Sequence, residues 1–287
     1  MRNWLEYLLF IMLASLVRAL PQRAALAVGR YLGGLARHCQ LRRVAIARDN
    51  LANALPELSP AARETILADN FVNLGTNFVE MLRLDMITDE DLHNRYTLTG
   101  KEHIDAALSH GRGAILLTGH LGFWEAGGYL LTRIGYRPAF VAKPMRNPLV
   151  DGYFRRMREA SGSSYIDSRR GARRILRTLQ ENRLVGVLMD QHVRRQDGVE
   201  VPFFGRLAWT TPIITEMAMK YQVPVIPAFT WRTKDDCHEV IIQPYFFLEG
   251  RGNDAVRENT ARLNRVIEEA VRRDPAQWFW VHRRWRG

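Results

Sequence analysis

From Tyr96 onward the chain alternates short apolar runs with amphipathic stretches, and this alternation limits the possible fold more than any other feature. Runs of about four to eight apolar residues have strand length, while longer stretches with a 3.6-residue period read as helices. Strands are expected at 96–99, 114–118, 139–142, 184–189, 223–230 and 239–243, and helices at 104–109, 122–134, 149–160, 171–181, 212–221 and 254–273. Such alternation indicates an α/β fold, a sheet with helices on its faces. Before it come two helical patterns, 41–54 and 60–83, the second opened by a Ser59-Pro60 cap. They read as a cover over the sheet. The expected division is an amino-terminal anchor and basic helix at 1–40 and a catalytic domain at 41–287, made of a helical cover at 41–92 and an α/β core at 93–287.

The net charge is +11, from 41 Lys+Arg against 30 Asp+Glu, and only four of the cations are lysines. Arginine stays charged and grips phosphate or carboxylate with paired hydrogen bonds, so an acidic partner is expected. The charge is not uniform. Residues 1–48 hold eight Arg and one acid, residues 155–195 eleven Arg and four acids, and the remainder is slightly acidic. Cys39 and Cys237 stand alone without a CxxC, which argues against a disulfide scaffold and a cysteine zinc site; no metal is expected.

The first basic zone is interleaved with apolar residues. Eleven uncharged residues, Tyr7 to Val17, would reach only about 16 Å as a helix, against a hydrocarbon core of about 30 Å. Extending the segment to 3–20 encloses Glu6 and Arg18. An uncleaved anchor that dips into or barely crosses the membrane is the expectation. Pro21 then starts a second helix with Arg23, Arg30 and Arg37 on one stripe, a pattern suited to anionic headgroups or to packing on the domain.

The sharpest local feature is GAILLTGHLGFWEAGGYLL, where a strand ends in Gly119-His120 and a helix opens near Gly122. Histidine at the carboxyl end of a strand, before a helix amino terminus, occupies the place where α/β folds put functional groups. Glu125 follows five residues later, about 140 degrees away on a continuous helix. With His120 on the preceding turn, its ring can fold back toward Glu125, which would hold one nitrogen and leave the other to take a proton. The spacing alone is uninformative, since His192 and Asp197 repeat it in a polar loop; a helix-capping histidine is the plain alternative.

The sequence resembles the bacterial lipid A biosynthesis acyltransferases, late lauroyl and myristoyl transferases of the broader lysophospholipid acyltransferase family. The residues that carry the resemblance are His120 and Glu125 with Gly122-Phe123-Trp124 between them, Lys143-Pro144, Asn147-Pro148-Leu149, Asp190-Gln191, Val201-Pro202-Phe203-Phe204-Gly205 and Trp280-Val281-His282-Arg283-Arg284. It covers nearly the whole chain. Two departures stand out: the Glu-Gly-Thr motif of the glycerolipid branch is absent, and Asp190-Gln191-His192 replaces an Asp-x-Asp pattern.

The resemblance implies a mixed central sheet of the glycerolipid-acyltransferase type and direct acyl transfer to a hydroxyl of a membrane glycolipid. The donor would be an acyl carrier protein thioester or acyl-CoA, with no cofactor. His120 would be the base, Glu125 its partner, and Arg158, or alternatively Arg156, a donor to the oxyanion. Substrate contacts are expected from Gly122, Phe123, Trp124, Lys143, Arg146, Asn147, Asp190, Gln191, Phe203, Phe204 and Gly205. Lys143 and Arg146 would meet acceptor phosphate, and Phe203 and Phe204 would wall an acyl channel. The segment Trp278 to Trp285 mixes aromatic and basic residues as interfacial belts do. No G-x-S-x-G elbow is present, so no covalent acyl-enzyme is expected. The expected setting is the cytoplasmic face of the inner membrane, with a monomer contacting carrier protein, glycolipid and anionic lipid, but no nucleic acid. Two other readings compete: an acyltransferase for another glycolipid or a lysophospholipid, and a non-enzymatic binder of anionic membranes or nucleic acid.

Overall fold

A computed structural model describes residues 1–169 and 171–286. Five helices come first: α1 (Arg2–Ala19), α2 (Gln22–Cys39), α3 (Leu41–Ala54), α4 (Pro60–Met81) and α5 (Asp89–Arg95). The α/β part follows as β1 (Tyr96–Thr99), α6 (Lys101–Leu108), β2 (Ala114–Thr118), α7 (Trp124–Arg133), β3 (Ala139–Ala142), α8 (Pro148–Ala160), β4 (Ser164–Asp167), α9 (Ala172–Gln180) and β5 (Leu184–Leu188). The chain then forms β6 (Val199–Phe203), β7 (Arg206–Thr210), α10 (Ile213–Tyr221), β8 (Val225–Arg232), β9 (His238–Ile242) and α11 (Gly252–Arg273).

Seven strands form one mixed sheet in the order β1-β9-β8-β2-β5-β3-β4. The pairs are parallel except β8 with β9, which is antiparallel. β2 and β5 lie near the middle, covered on both faces, which is why AILLT and LVGVL are continuous apolar runs. Their register pairs Thr118 with Leu188, so the two chains leave the sheet side by side at their carboxyl ends. β6 and β7 form a separate hairpin through Phe204 and Gly205, both at positive φ. The predicted strands and helices all form. The sequence reading lacks β4, α5 and this hairpin.

The helical cover is welded to the sheet. On α2, Gly29 and Gly33 meet Gly75 and Thr76 of α4 so closely that a Cβ on Gly33 would stand 2.2 Å from the Phe71 carbonyl oxygen. From α3, the Asn50 amide donates to the carbonyls of Trp280 and His282, both at 2.7 Å. From α4, Asn70 donates to the carbonyls of Ala276 and Trp278, and Asn77 to that of Gly122. All three asparagines are buried. They satisfy loop carbonyls that no strand reaches, and so fix the carboxyl-terminal tail and the turn after β2 together.

The structure bears on three expectations about the amino and carboxyl ends. No helix of the described residues is long and apolar enough to cross a membrane. α1 instead packs one face on the domain: Phe10 contacts Tyr153 and Phe154 of α8, Asn147 donates to the Asn3 carbonyl, and Arg83 donates to the carbonyls of Val17, Arg18 and Leu20. Its other face leaves Leu5, Leu8, Leu9, Met12 and Leu16 between 53 and 63 % exposed. On α2, the expected headgroup stripe is largely paired internally, Arg30 with Asp236 at 3.0 Å and Arg37 with Glu64 at 3.8 Å. The expected aromatic belt is core: Trp278 and Trp280 are buried, and so is Arg284, which donates to the Trp209 carbonyl and the Thr210 hydroxyl. A basic aromatic string has the composition of a membrane belt whether its rings face lipid or protein; here Phe203 and Phe204 receive them.

The α2–α4 contact carries a paired prediction. Gly33→Ala should lose about 1–3 kcal/mol of stability, because the new methyl meets backbone that cannot step aside. Gly34→Ala, with nothing within 4 Å of its Cβ, should gain up to about 1 kcal/mol from helix propensity. Denaturant unfolding of both variants checks the sign of each change.

Candidate active site

Two residues beyond the paired Thr118 and Leu188, the exits of β2 and β5 place His120 against Asp190. The His120 ring nitrogen Nδ1 lies 2.8 Å from Asp190 Oδ1, and the His120 backbone N–H donates to Oδ2 at 2.7 Å. Trp278 Nε1 donates to the same Oδ2 at 2.7 Å. Asp190 is 1 % exposed. Burial alone would push its carboxyl up, but the charge of His120 and these donors outweigh that and hold it at about 2. An ionised Asp190 requires Nδ1 to carry a proton, so the lone pair of neutral His120 sits on Nε2. The edge of Trp124 and the ring of Phe279 stand beside the imidazole, with centroids 5.1 and 5.9 Å away.

The turn that carries His120 is held by backbone geometry. Leu121 bridges to Trp278, the Gly122 N–H donates to the Gln277 carbonyl, and the Phe279 N–H donates to the His120 carbonyl. Gly122 has φ +55°, and a Cβ there would stand 2.1 Å from the Thr230 carbonyl oxygen. This is a position for glycine on two independent grounds.

The expected His120–Glu125 contact is not formed. α7 begins at Trp124, so Glu125 lies in its first turn and is taken by α8: Arg158 Nε donates to Oε2 at 2.9 Å and Nη2 to Oε1 at 2.5 Å. The bidentate pair is mostly buried. Asp190, placed by sequence among the substrate contacts, is the orienting carboxylate. It lies 70 residues from His120, so the only local signal was an acid directly after a buried strand. Arg158 meets Glu125, while Arg156 is exposed.

Several other sequence-predicted residues separate from the site. Phe123 is core against His238. Asn147 caps α8 by accepting from Leu149 N–H and ties down α1. Phe203 and Phe204 are buried against Trp278 and Trp280, and Gly205 completes the hairpin turn. Lys143 and Arg146 are exposed after β3. Gln191 stays at the site, its Nε2 3.1 Å from His120 Nε2. His282 was not singled out as a site residue by sequence. It accepts the His192 backbone N–H on Nε2 at 3.0 Å and so fixes the loop after Asp190.

Geometrically the site can take a proton from a hydroxyl at Nε2 of His120 and stabilise the resulting imidazolium through Asp190. A base fixed in one tautomer by a buried carboxylate is the arrangement used to activate weak nucleophiles.

The electrostatics predict acid sensitivity. Burial depresses His282 to about 4, with His120 and Arg284 adding to the effect and Asp190 opposing it. Against an unfolded value of about 6.5, the unfolded chain binds the extra proton first, so stability falls as pH drops from about 6.5 to about 4. His238, depressed by burial, tilts the same way. Asp190 acts lower, its contribution being lost between about pH 4 and 2. Unfolding free energy measured from pH 7 to pH 4 should decline, and His282→Gln should flatten but not remove the slope.

A family model described as bacterial lipid A biosynthesis acyltransferase matches residues 1–287. The chain is 25% identical over 279 residues to a lipid A biosynthesis acyltransferase of Haemophilus influenzae, covering 97% of this chain and 85% of the relative. It is 27% identical over 271 residues to the lipid A biosynthesis palmitoleoyltransferase of Escherichia coli, covering 93% and 86%. It is also 27% identical over 291 residues to the lipid A biosynthesis lauroyltransferase of Escherichia coli, covering 99% and 92%. A match of this extent sets aside the non-enzymatic reading. With a family match over its full length, this chain belongs to the bacterial lipid A biosynthesis acyltransferases and is an acyltransferase.

Proposed function

We propose that this acyltransferase moves a fatty acyl chain from an acyl carrier protein thioester to a hydroxyl of a lipid A precursor, with His120 as base and Asp190 as its orienting partner. The observation that carries the reading is the Nδ1–Asp190 contact, which leaves Nε2 as the acceptor of the hydroxyl proton. In the first step the hydroxyl oxygen bonds to the thioester carbonyl carbon, the carbonyl electron pair moves to oxygen, and the proton passes to Nε2. In the second the carbonyl reforms, the carbon–sulfur bond breaks, and the thiolate takes the proton from Nε2. Both steps use one base and no covalent enzyme intermediate. Glu125 acts through Arg158, which it holds charged and in place on α8. The exposed Arg156, Arg169, Arg173 and Arg174 suit an acidic carrier protein.

Membrane attachment is part of the proposal, and its support is the free face of α1. Leu5, Leu8, Leu9, Met12 and Leu16 recur every three or four residues, and an apolar stripe of this kind lies in the plane of the headgroups. The exposed row supports a seat for the protein on the membrane surface.

Assays with parallel acyl carrier protein and acyl-CoA donors and a lipid A precursor test the chemistry. Carrier-bound donor should be preferred. His120→Ala and Asp190→Asn should each lose on the order of 10²–10⁴ in kcat while remaining folded. Full activity in either variant rejects the assignment. For the membrane, Leu8→Glu with Met12→Glu should reduce co-sedimentation with anionic phospholipid vesicles, with far-UV circular dichroism unchanged.

A further inference from the structure

Gln191 has a place in the reaction that extends the acyl-transfer reading and rests on it. Because Nδ1 of His120 keeps its proton and donates a hydrogen bond to the ionised Asp190, the Gln191 contact at 3.1 Å is to the lone pair of Nε2. Of the two ends of a carboxamide, only the N–H end complements a lone pair, so Gln191 donates. In the free enzyme its amide therefore stands where the acceptor hydroxyl must come.

The surroundings allow it to leave. The residue before it is the buried Asp190, and the N–H of the residue after it, His192, donates to His282. The backbone is thus fixed on both sides. The half-buried carboxamide has no other hydrogen bond among the described residues, so its side chain swings without disturbing the fold. Arg158, the donor suggested by sequence, has Nε and Nη2 committed to Glu125.

We infer that Gln191 is a catalytic residue whose amide N–H holds the His120 lone pair in the resting enzyme and, displaced by the acceptor hydroxyl, donates to the oxyanion of the tetrahedral intermediate. The hydroxyl attacks from about 3 to 3.5 Å, so the carbonyl oxygen develops its charge beside the base. An amide moved off Nε2 remains in reach of that oxygen. No proton or electron pair leaves Gln191: it donates a hydrogen bond as the carbonyl electrons move to oxygen and releases it when the carbon–sulfur bond breaks.

The test compares Gln191→Leu, which removes the donor, with Gln191→Glu, which keeps the shape but removes the N–H. Carrier-bound donor and lipid A precursor are used, with the pH profile and thermal unfolding recorded. Both variants should lose about 10²–10³ in kcat with KM within about threefold and an unchanged unfolding midpoint. In Gln191→Leu the acid limb of kcat/KM should move to higher pH, since nothing then competes with the proton for Nε2. The nitrogen resonance of His120 Nε2 should shift in the same variant without any substrate. Either variant retaining kcat within about threefold, or a loss of kcat matched by a lowered unfolding midpoint, overturns the oxyanion role. A wild-type protein that transfers no acyl chain from any donor overturns the acyltransferase reading itself, and the oxyanion role with it; an Nε2 resonance that does not move overturns the resting contact alone.

Discussion

The ionised carboxylate of Asp190, buried at the centre of the molecule, is the constraint around which the site is built. A bare carboxylate there would be intolerable, and the structure answers with three donors from two parts of the chain. The backbone and ring of His120 come from the turn after β2, and the Trp278 indole comes from the tail. Each donor is needed to keep the charge, and the charge in turn fixes the tautomer and direction of the imidazole. The ionisation of Asp190 and the direction of the imidazole depend on the same three hydrogen bonds.

The tail could not deliver Trp278 unaided, because it has almost no regular structure and its carbonyls need partners. Asn50 and Asn70 supply them from the cover, while Asn77 does the same for the Gly122 carbonyl. The helical cover is therefore part of the active-site scaffold. Its own seating rests on the glycine contact between α2 and α4, which brings α2 to backbone distance of α4. A chain of short-range contacts thus runs from Gly33 through α4 and the tail to the orienting carboxylate.

The strands and helices that alternate after Tyr96 were legible because each is set by local periodicity, and the buried strands β2 and β5 announced themselves as unbroken apolar runs. β4 was not: Ser164 to Asp167 is a short polar edge strand, whose pairing with β3 no local pattern encodes. His120 was legible from its place after β2. Its partner was not, because the choice between Glu125 and Asp190 depends on which strands are neighbours and in which register. Glu125 is nearer in sequence, yet the start of α7 turns it toward Arg158. Composition misled at both ends, since arginines and tryptophans have the same sequence signature facing lipid as facing each other. Arg30 found Asp236, and Trp280 found Phe204.

That redistribution bears on how charge and apolar surface divide their work. With Arg30 and Arg37 paired to acids of the same chain at the surface, the amino-terminal excess of positive charge is partly neutralised, and the uncovered apolar row of α1 becomes the distinctive surface of this region. α1 is not independent of the catalytic apparatus. Phe10 packs on Phe154 of α8, four residues before Arg158, and Arg158 holds Glu125 beside the Trp124 ring that flanks His120. The surface proposed to meet the hydrocarbon of a bilayer is in this way mechanically continuous with the wall of the site. In the proposed reaction both substrates carry long acyl chains, so a helix seated among lipid tails and braced against α8 would bring the lipid phase to the base. A more loosely tethered anchor would fix the protein's height above the membrane and leave its orientation free, whereas a helix built into the fold fixes both.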